Sequence, residues 1–205
     1  EESSRGERED EQLGIVEPLD GTNNFCHGIE HFAVSIAWQQ QGETQIGVVY
    51  RPFSDDWFVA VRGQGAWHND QPCRVVPLEQ LNQALIGVGF YYDRGQQMRS
   101  TLAALETLFG ENIHGIRRMG TASLDLCMTG TGSLGGYFEF ELAPWDYAAG
   151  KLFVEEAGGI VTDCEGNPIT KGNSSILASC PGLHAALLKN IGPYFRETLS
   201  RAIEP

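Results

Sequence analysis

Residues Glu17 to Thr22 read Glu-Pro-Leu-Asp-Gly-Thr, and no other stretch of the chain predicts as much about its structure. Two carboxylates stand three positions apart and are followed at once by Gly-Thr. Pro18 fixes its own φ and biases Glu17 towards an extended conformation, so we expect a short strand to end here in a sharp turn. Such a turn can direct the carboxylates of Glu17 and Asp20 and the carbonyl of Leu19 into one small volume. Hard oxygen ligands of this kind suit Mg²⁺.

The last two residues of the hexapeptide suit an anion. Gly21 has no Cβ that would collide with phosphate oxygens. Thr22 offers a hydroxyl and an N–H group at a predicted helix start, where free N–H groups and the helix dipole favour negative charge. Asp-Gly alone is a common turn dipeptide and would indicate an ordinary turn, so the argument depends on the whole hexapeptide. Together these residues predict metal-dependent phosphoester chemistry.

A second stretch, Trp145-Asp146-Tyr147-Ala148-Ala149-Gly150, supplies another carboxylate far along the chain. It places Asp146 at a predicted helix start. Taken alone, the local sequence favours a helix cap, because a carboxylate there accepts free N–H groups and complements the dipole. In combination with the hexapeptide, Asp146 becomes a candidate metal ligand.

The run from Ile15 to Ala37 resembles the first signature of the inositol monophosphatase family, and the run from Pro144 to Gly159 resembles the second. Residues 62–66 and 118–123 also follow the family's order, so the resemblance covers nearly the whole chain. It implies an α/β (α+β) fold, a layered αβαβα sandwich of the inositol monophosphatase and fructose-1,6-bisphosphatase type. The family carries helices ahead of the triplet that begins this sequence, and we expect these residues to show the fold without them.

The resemblance also implies roles for individual residues. The implied ligands of two or three Mg²⁺ ions are Glu1, Glu17, the Leu19 carbonyl, Asp20 and Asp146. The implied catalytic residues are Glu1, which helps to orient the attacking water, and Thr22, which contacts it. The implied substrate-binding residues are Gly21 and Thr22 for the phosphate, Ala122 for the ring pocket and Glu139 for substrate hydroxyls, with Asp146 as a further substrate contact.

Two of these positions need comment. The family has aspartate at the position of Glu17, and the extra methylene moves the carboxylate by about 1.5 Å at a site where Mg²⁺ tolerates little variation in bond length. We therefore expect altered metal affinity or a slower enzyme. Glu1 stands at the start of the sequence, and a ligand at a terminus is poorly held unless it is tied down.

The implied reaction is hydrolysis of a phosphate monoester by a metal-activated water, without a covalent phosphoenzyme. The resemblance and Glu139 favour myo-inositol monophosphate as the substrate. Histidinol phosphate, fructose 1,6-bisphosphate and 3′-phosphoadenosine 5′-phosphate are alternatives, because relatives with the same metal signature act on them. A different class also stays open: a weakly active member that binds a phosphorylated ligand or a protein partner.

Composition limits the other classes of protein. The net charge of −13 argues against a nucleic-acid binder, since such proteins need basic surface to displace counterions. No run approaches the roughly 20 apolar residues that span a bilayer, so we expect no membrane partner. The five cysteines are scattered and show no CxxC spacing, which indicates reduced thiols in a cytoplasmic protein. We expect a small phosphorylated polyol as ligand and, from the family, a homodimer.

The apolar pattern predicts strands first and then alternating strands and helices, which is typical of a layered α/β architecture. We expect a single domain over residues 1–205, with an antiparallel half at 1–82 that carries the metal turn and a mixed half at 83–205. Predicted helices cover residues 96–109, 123–129, 145–157 and 181–188.

Overall fold

The computed structural model describes residues 12–92, 94–169 and 172–201, without the side chains of 199–201. The first part of the chain forms a six-stranded antiparallel sheet whose strands follow one another in sequence order. These strands are β1 (Gln12–Asp20), β2 (Ala33–Gln40), β3 (Glu43–Arg51), β4 (Asp56–Val61), β5 (Gly65–His68) and β6 (Gln71–Pro72). The turn between β2 and β3 lies at Gln41 and Gly42, which both have positive φ.

A five-stranded sheet follows, with the strand order β10-β11-β9-β7-β8. Its strands are β7 (Leu85–Val88), β8 (Gly115–Arg117), β9 (Gly136–Leu142), β10 (Ile160–Thr162) and β11 (Ser174–Ser179). The strand β7 runs parallel to β8 and β9, whereas β11 pairs antiparallel with β9 and β10. This mixture of directions is what the alternating half of the sequence predicts.

Five helices complete the described part of the chain. They are α1 (Thr22–Cys26), α2 (Gln96–Gly110), α3 (Ala122–Gly130), α4 (Pro144–Glu156) and α5 (Pro181–Arg201), with a single 3₁₀ turn at Leu81–Gln83. Helices α3 and α4 contact strands of both sheets and lie between them, while α2 and α5 pack on the far side of the second sheet. The layered α/β sandwich is therefore confirmed, and in the described ranges it has the order sheet, helices, sheet, helices.

Small side chains let α4 approach the first sheet closely. One row of cross-strand partners on the inner face consists of Ile15, Ala37, Gly47, Ala60 and Ala66. A Cβ on Gly47 would lie 2.8 Å from the carbonyl oxygen of Ala149 in α4. The glycine therefore fixes how near α4, with Asp146 at its start, comes to β3.

The opposite, outer face of the first sheet is apolar as well. Its central row of cross-strand partners is Val16, Ile36, Val48, Val59 and Trp67. No described residue forms a helical layer over this face, and Ile36 is 45% exposed. The alternation along these strands thus places apolar residues on both faces, a pattern typical of a sheet that is covered on both sides.

The prediction that the strand ends before the hexapeptide is wrong. Strand β1 continues through Glu17, Pro18 and Leu19 to Asp20, with a register shift against β2 between Glu17 and Asp20. Proline is tolerated because β1 lies at the edge of the sheet and the irregular register there does not require its missing N–H group. The turn comes instead at Gly21, whose φ is 86°.

The last helix is longer than predicted. Helix α5 runs to Arg201 and contains Pro193, whereas the sequence suggested an end at residue 188. Leu183, Leu187, Ile191 and Phe195 recur along one face and are all buried against the second sheet and α2. Tertiary packing therefore extends the helix beyond the point where local sequence stops predicting it. None of the helices in the described ranges is both long and apolar enough to cross a bilayer.

Candidate functional site

A cleft of about 290 Å³ opens where the end of β1, the start of α3, β9 and the start of α4 meet. Every described residue that the sequence assigned to the site lines this cleft: Glu17, Leu19, Asp20, Gly21, Thr22, Ala122, Glu139 and Asp146. Glu1 lies outside the described residues. Residues that are distant in sequence thus come from both sheets and from the helices between them to one place.

Gly21 shapes the turn that follows β1. Its positive φ is readily adopted only by glycine, and a Cβ at this position would overlap the Oγ1 atom of Thr121. The hydroxyl of Thr22 donates a hydrogen bond to the Leu19 carbonyl at 3.0 Å and closes the turn. The backbone at Gly21 and Thr22 is therefore open to a ligand on one side and packed against the segment before α3 on the other.

The side chain of Asn24 joins this turn to the second half of the chain. Its amide donates to the carbonyl oxygens of His31 at 2.7 Å and Met119 at 2.9 Å. Asn24 is buried, although α1 is only one short helix on the surface. These bonds hold the turn at Gly21 and Thr22 in a fixed position relative to the start of α3.

Asp20 points into the protein. One oxygen, Oδ2, accepts the backbone N–H of Ser123 at 2.8 Å, at the start of α3. Burial raises the pKa of the Asp20 carboxyl, although the hydrogen bonds with Ser123 and the nearby backbone oppose the rise. A carboxylate in this position is costly to ionise unless a cation lies beside it.

Glu17 uses its extra methylene to fold back on its own strand. Its Oε1 atom accepts the backbone N–H of Leu19 at 3.1 Å, and the residue is only 6% exposed. The Glu17 side chain is thus held by a local contact within its own strand.

Asp146 acts as a helix cap and lines the cleft at the same time. It is the third residue of α4, and its Oδ2 atom accepts the N–H of Ala143 at 2.9 Å. The cap that the local sequence favours is therefore present. Because the start of α4 opens into the cleft, this does not remove the carboxylate from the site.

Glu139 is a buried carboxyl in β9 whose pKa lies far from its ordinary value. Burial raises that pKa to about 8, and the charges of Asp146 and Asp20 add to the effect. The hydroxyl of Tyr137 donates to its Oε2 atom at 2.6 Å and works in the opposite direction. A Cβ on Gly89 would overlap the same carboxylate, so this glycine gives Glu139 its room. A buried carboxyl of this kind is suited to accept or donate a hydrogen bond to a substrate hydroxyl.

Two tyrosines stand at the mouth of the cleft. Tyr91 and Tyr92 are 37% and 74% exposed, and their ring centroids lie 5.8 Å apart in an edge-to-face arrangement. The guanidinium of Arg94 donates to the Tyr91 carbonyl at 3.0 Å. Arg118 also lines the cleft. Sequence analysis missed the tyrosines, although two aromatic residues directly after Gly89 and Phe90 were a usable signal.

The sequence of residues 1–195 matches the family model of the inositol monophosphatase family. This chain belongs to the inositol monophosphatase family. Membership explains the layered fold and the order of the two signatures, and the family itself is one of metal-dependent phosphatases.

Individual relatives carry two kinds of name. The chain is 43% identical to a putative Nus factor SuhB of Neisseria meningitidis serogroup B, over 95% of this chain and 74% of that protein. It is 47% identical to an inositol-1-monophosphatase of Rhizobium meliloti, over 78% of this chain and 60% of that protein. The solved inositol monophosphatase of Anabaena superposes with a TM-score of 0.84 at 37% identity, covering 90% of this chain and 73% of the other.

One further residue of the cleft, Asp125, was missed by the sequence analysis. Asp125 lies in α3 with 1% of its surface exposed, and it lines the cleft. Its Oδ1 atom has no hydrogen-bond partner among the described residues. Burial and the charges of Asp20 and Glu139 raise the pKa of this carboxyl well above its usual range. The apolar neighbours Leu124 and Leu126 were a signal, because a charged residue in a buried helix needs a reason to be there.

The oxygen donors in the cleft fit the metal on which this family depends. Glu17, Asp20 and Asp146 supply carboxylates and Leu19 a carbonyl, the ligand types that Mg²⁺ prefers. A nearby cation would stabilise the ionised form of the buried carboxyls whose pKa values are raised. Over the described ranges no three acidic, histidine or cysteine side chains converge closely enough to form a finished metal cluster. The chemistry therefore fits, and metal binding would draw these side chains together.

Proposed function

We propose that this chain is a Mg²⁺-dependent phosphomonoesterase, and that its leading substrate is myo-inositol monophosphate. The observation that carries the proposal is that three carboxylates, Glu17, Asp20 and Asp146, line the same cleft as the Gly21-Thr22 turn. Carboxylates beside an open backbone turn suit a phosphate that is bridged to the protein by cations. The names of the inositol monophosphatase relatives support the same reaction.

The residues of the chain divide the work. Gly21 and Thr22 receive the phosphate, since their backbone can approach its oxygens closely. Glu139, held by Tyr137, and the neighbouring Ala122 receive the hydroxyl-bearing alcohol. When bound, Mg²⁺ supplies Lewis-acid activation of water and neutralises charge on the leaving oxygen. The orientation of phosphate and alcohol relative to one another is then set by the distance between the turn and β9.

The decisive experiment is phosphate release from a small panel of esters with and without Mg²⁺. The panel contains myo-inositol 1-phosphate, histidinol phosphate, fructose 1,6-bisphosphate and 3′-phosphoadenosine 5′-phosphate. We expect release to require Mg²⁺ and to fall at least about 100-fold in Asp146→Asn, because outer-shell changes alone typically cost 10–100-fold. The matched control is Asp70→Asn, an exposed aspartate in the β5–β6 turn, which should keep wild-type activity. Undiminished activity in Asp146→Asn would remove the cleft as the active site.

A second candidate is a binding protein with little or no catalytic activity. It is favoured by Glu17, which departs from the family at a metal position, and by the relative named as a putative Nus factor. In this case the fold would present a surface to a protein partner. The absence of phosphate release from the whole panel at saturating Mg²⁺ would favour this candidate over the enzyme.

A further inference from the structure

We propose that Asp125 is a supporting carboxylate, which stays outside the coordination shell of the metal and strengthens Mg²⁺ binding in the cleft through its charge. The inference rests on the proposed function, because it assumes that Glu17, Asp20 and Asp146 hold the Mg²⁺. It extends that function by giving a role to a carboxyl that lies outside both sequence signatures, in the middle of an otherwise apolar stretch of α3.

Hydrogen bonds within the described residues do not explain why the Asp125 side chain is buried. Its backbone is satisfied, because its N–H group donates to the Thr121 carbonyl at 3.0 Å and its carbonyl accepts the Thr129 hydroxyl at 3.0 Å. Its Oδ1 atom has no partner among those residues, and the residue is 1% exposed. Nearly all buried polar atoms in proteins are hydrogen-bonded, so an unpaired carboxyl oxygen calls for another interaction.

Asp125 lies in the same first turn of α3 that holds Asp20. The N–H group of Ser123 donates to Oδ2 of Asp20 at 2.8 Å. Asp125 follows two residues later, a rise of about 3 Å along the helix axis. Both aspartates line the cleft. A cation held by Asp20 would therefore lie close enough to feel the charge of Asp125 in a poorly solvated environment.

The charges around Asp125 favour a cation. Among the described residues that line the cleft, five carboxyls face two guanidinium groups, those of Arg94 and Arg118. Burial and the charges of Asp20 and Glu139 raise the pKa of Asp125, and the charge of Arg118 opposes the rise. A negative charge at Asp125 is thus repelled by its neighbours in the metal-free chain and attracted once a divalent cation lies beside Asp20.

The depth of Asp125 separates it from the candidate ligands. A direct ligand of Mg²⁺ must bring an oxygen to about 2.0–2.1 Å from an ion that also keeps several waters. Asp20 and Asp146 are partly exposed, whereas Asp125 presents almost no surface to the cleft. Its position is that of an outer-shell group, and groups of this kind commonly change metal affinity by about 10–100-fold.

Two measurements on the 205-residue chain test the proposal. Isothermal calorimetry with Mg²⁺ gives the metal affinity, and thermal unfolding in EDTA gives the stability of the metal-free chain. Asp125→Asn keeps the shape of the side chain and removes its charge, so we expect it to weaken Mg²⁺ binding by about tenfold. We expect the same variant to raise the melting temperature in EDTA by roughly 2–4 °C, because it removes a buried charge that its neighbours repel.

The matched control is Asp56→Asn, the same chemical change at a buried aspartate outside the cleft. Asp56 is 8% exposed, and its carboxylate accepts hydrogen bonds from Arg51, Ser54 and Asn69. Removing the charge of a carboxylate with partners is destabilising. We expect Asp56→Asn to lower the melting temperature and to leave the Mg²⁺ affinity as in the wild type, so the two variants should change stability in opposite directions.

Two results would overturn the proposal. One is an unchanged Mg²⁺ affinity in Asp125→Asn. The other is a lower melting temperature of this variant in EDTA, or its failure to fold, because either result would show that the carboxyl stabilises the metal-free chain and has a structural role.

Phosphate release then separates this inference from the proposed function. If the wild type hydrolyses an ester of the panel and Asp125→Asn binds Mg²⁺ as tightly as the wild type, the role of Asp125 is wrong and the phosphatase stands. If the wild type hydrolyses none while Asp125→Asn weakens Mg²⁺ binding as expected, the phosphatase is wrong and the role of Asp125 stands. A wild type that binds no Mg²⁺ contradicts both.

Discussion

Glu139 illustrates how burial of one side chain can make the stability of the whole chain depend on pH. Its pKa is about 8 in the folded chain without metal, against an ordinary value of 4.5. Between these values the folded chain holds a proton that the unfolded chain has released, so the contribution to stability is full below about pH 4.5 and is lost as pH rises towards about 8. We expect Glu139→Gln to flatten this fall, by at most about 1.4 kcal/mol per pH unit.

Urea denaturation in EDTA at several pH values between about 5 and 8 measures the effect. The wild type should lose stability with rising pH more steeply than Glu139→Gln. Equal slopes for the two proteins would show that Glu139 ionises normally in the cleft.

Glu17 offers the second prediction for a single residue. Its carboxylate is held by the Leu19 N–H group, and the shorter aspartate cannot make that contact in the same way. We expect Glu17→Asp to bind Mg²⁺ several-fold more tightly, because the carboxylate would be free to adopt the short, near-octahedral bond lengths of the ion. Calorimetric titration with Mg²⁺ and the Mg²⁺ dependence of phosphate release both report the change.

The exposed Glu30 provides the comparison, since Glu30→Asp makes the same chemical change outside the cleft. It should leave the affinity for Mg²⁺ as in the wild type. A weaker affinity in Glu17→Asp would mean that the glutamate is adapted to this site, and that its contact with Leu19 assists metal binding.

Among the elements, the packing of α4 on the first sheet determines where Asp146 lies. A methyl group at Gly47 would press on the Ala149 carbonyl at 2.8 Å, and backbone atoms of a helix cannot move aside singly. We expect Gly47→Ala to destabilise the chain by about 1–3 kcal/mol, the usual cost of overpacking, and to lower Mg²⁺-dependent activity by moving α4. Gly14→Ala is the matched control, because a Cβ at Gly14 of β1 has no neighbour within 4 Å. Thermal unfolding of both variants measures the difference, and equal melting temperatures would contradict this account of the packing.

The sequence predicted the elements that carry local signals and missed those that depend on distant partners. The Trp145-Asp146 stretch correctly indicated the helix α4, and the hexapeptide indicated a turn, which lies later than expected, at Gly21. Pro18 was misleading, because only the edge position of β1 and its irregular register make a proline acceptable inside a strand. The length of α5 depends on burial against α2 and the second sheet, which local propensity does not contain.

The same limit applies to the site. Its carboxylates could be named because they occur in short recognisable runs, whereas their hydrogen bonds could not. The link from Asp20 to the N–H of Ser123 joins residues 103 positions apart. Asp125, Tyr91 and Tyr92 lie in otherwise ordinary stretches of sequence, and only the folded structure shows that they line the cleft.

For the whole molecule, the cleft is a joint product of its two sheets. The first sheet supplies Glu17 and Asp20 at the end of its edge strand, and the second supplies Glu139 from β9. The layer of α3 and α4 lies between the two sheets and adds Asp125 and Asp146 to the cleft. Disturbing the layer of α3 and α4 between the sheets would therefore affect the site before it unfolds either sheet.

The outer face of the first sheet leads to the last prediction. Val16, Ile36, Ile46 and Trp57 are each between 39% and 47% exposed on this face. Large exposed apolar patches favour association. We expect the 205-residue chain to bind a hydrophobic dye and to sediment increasingly as oligomers when its concentration rises.

Ile36→Lys, at the centre of the patch, should reduce both effects with little change in melting temperature. Leu102→Lys introduces the same positive charge on α2, at a leucine that is 50% exposed. It should leave dye binding and oligomer formation as in the wild type. Equal dye binding in all three proteins would show that this face does not govern association.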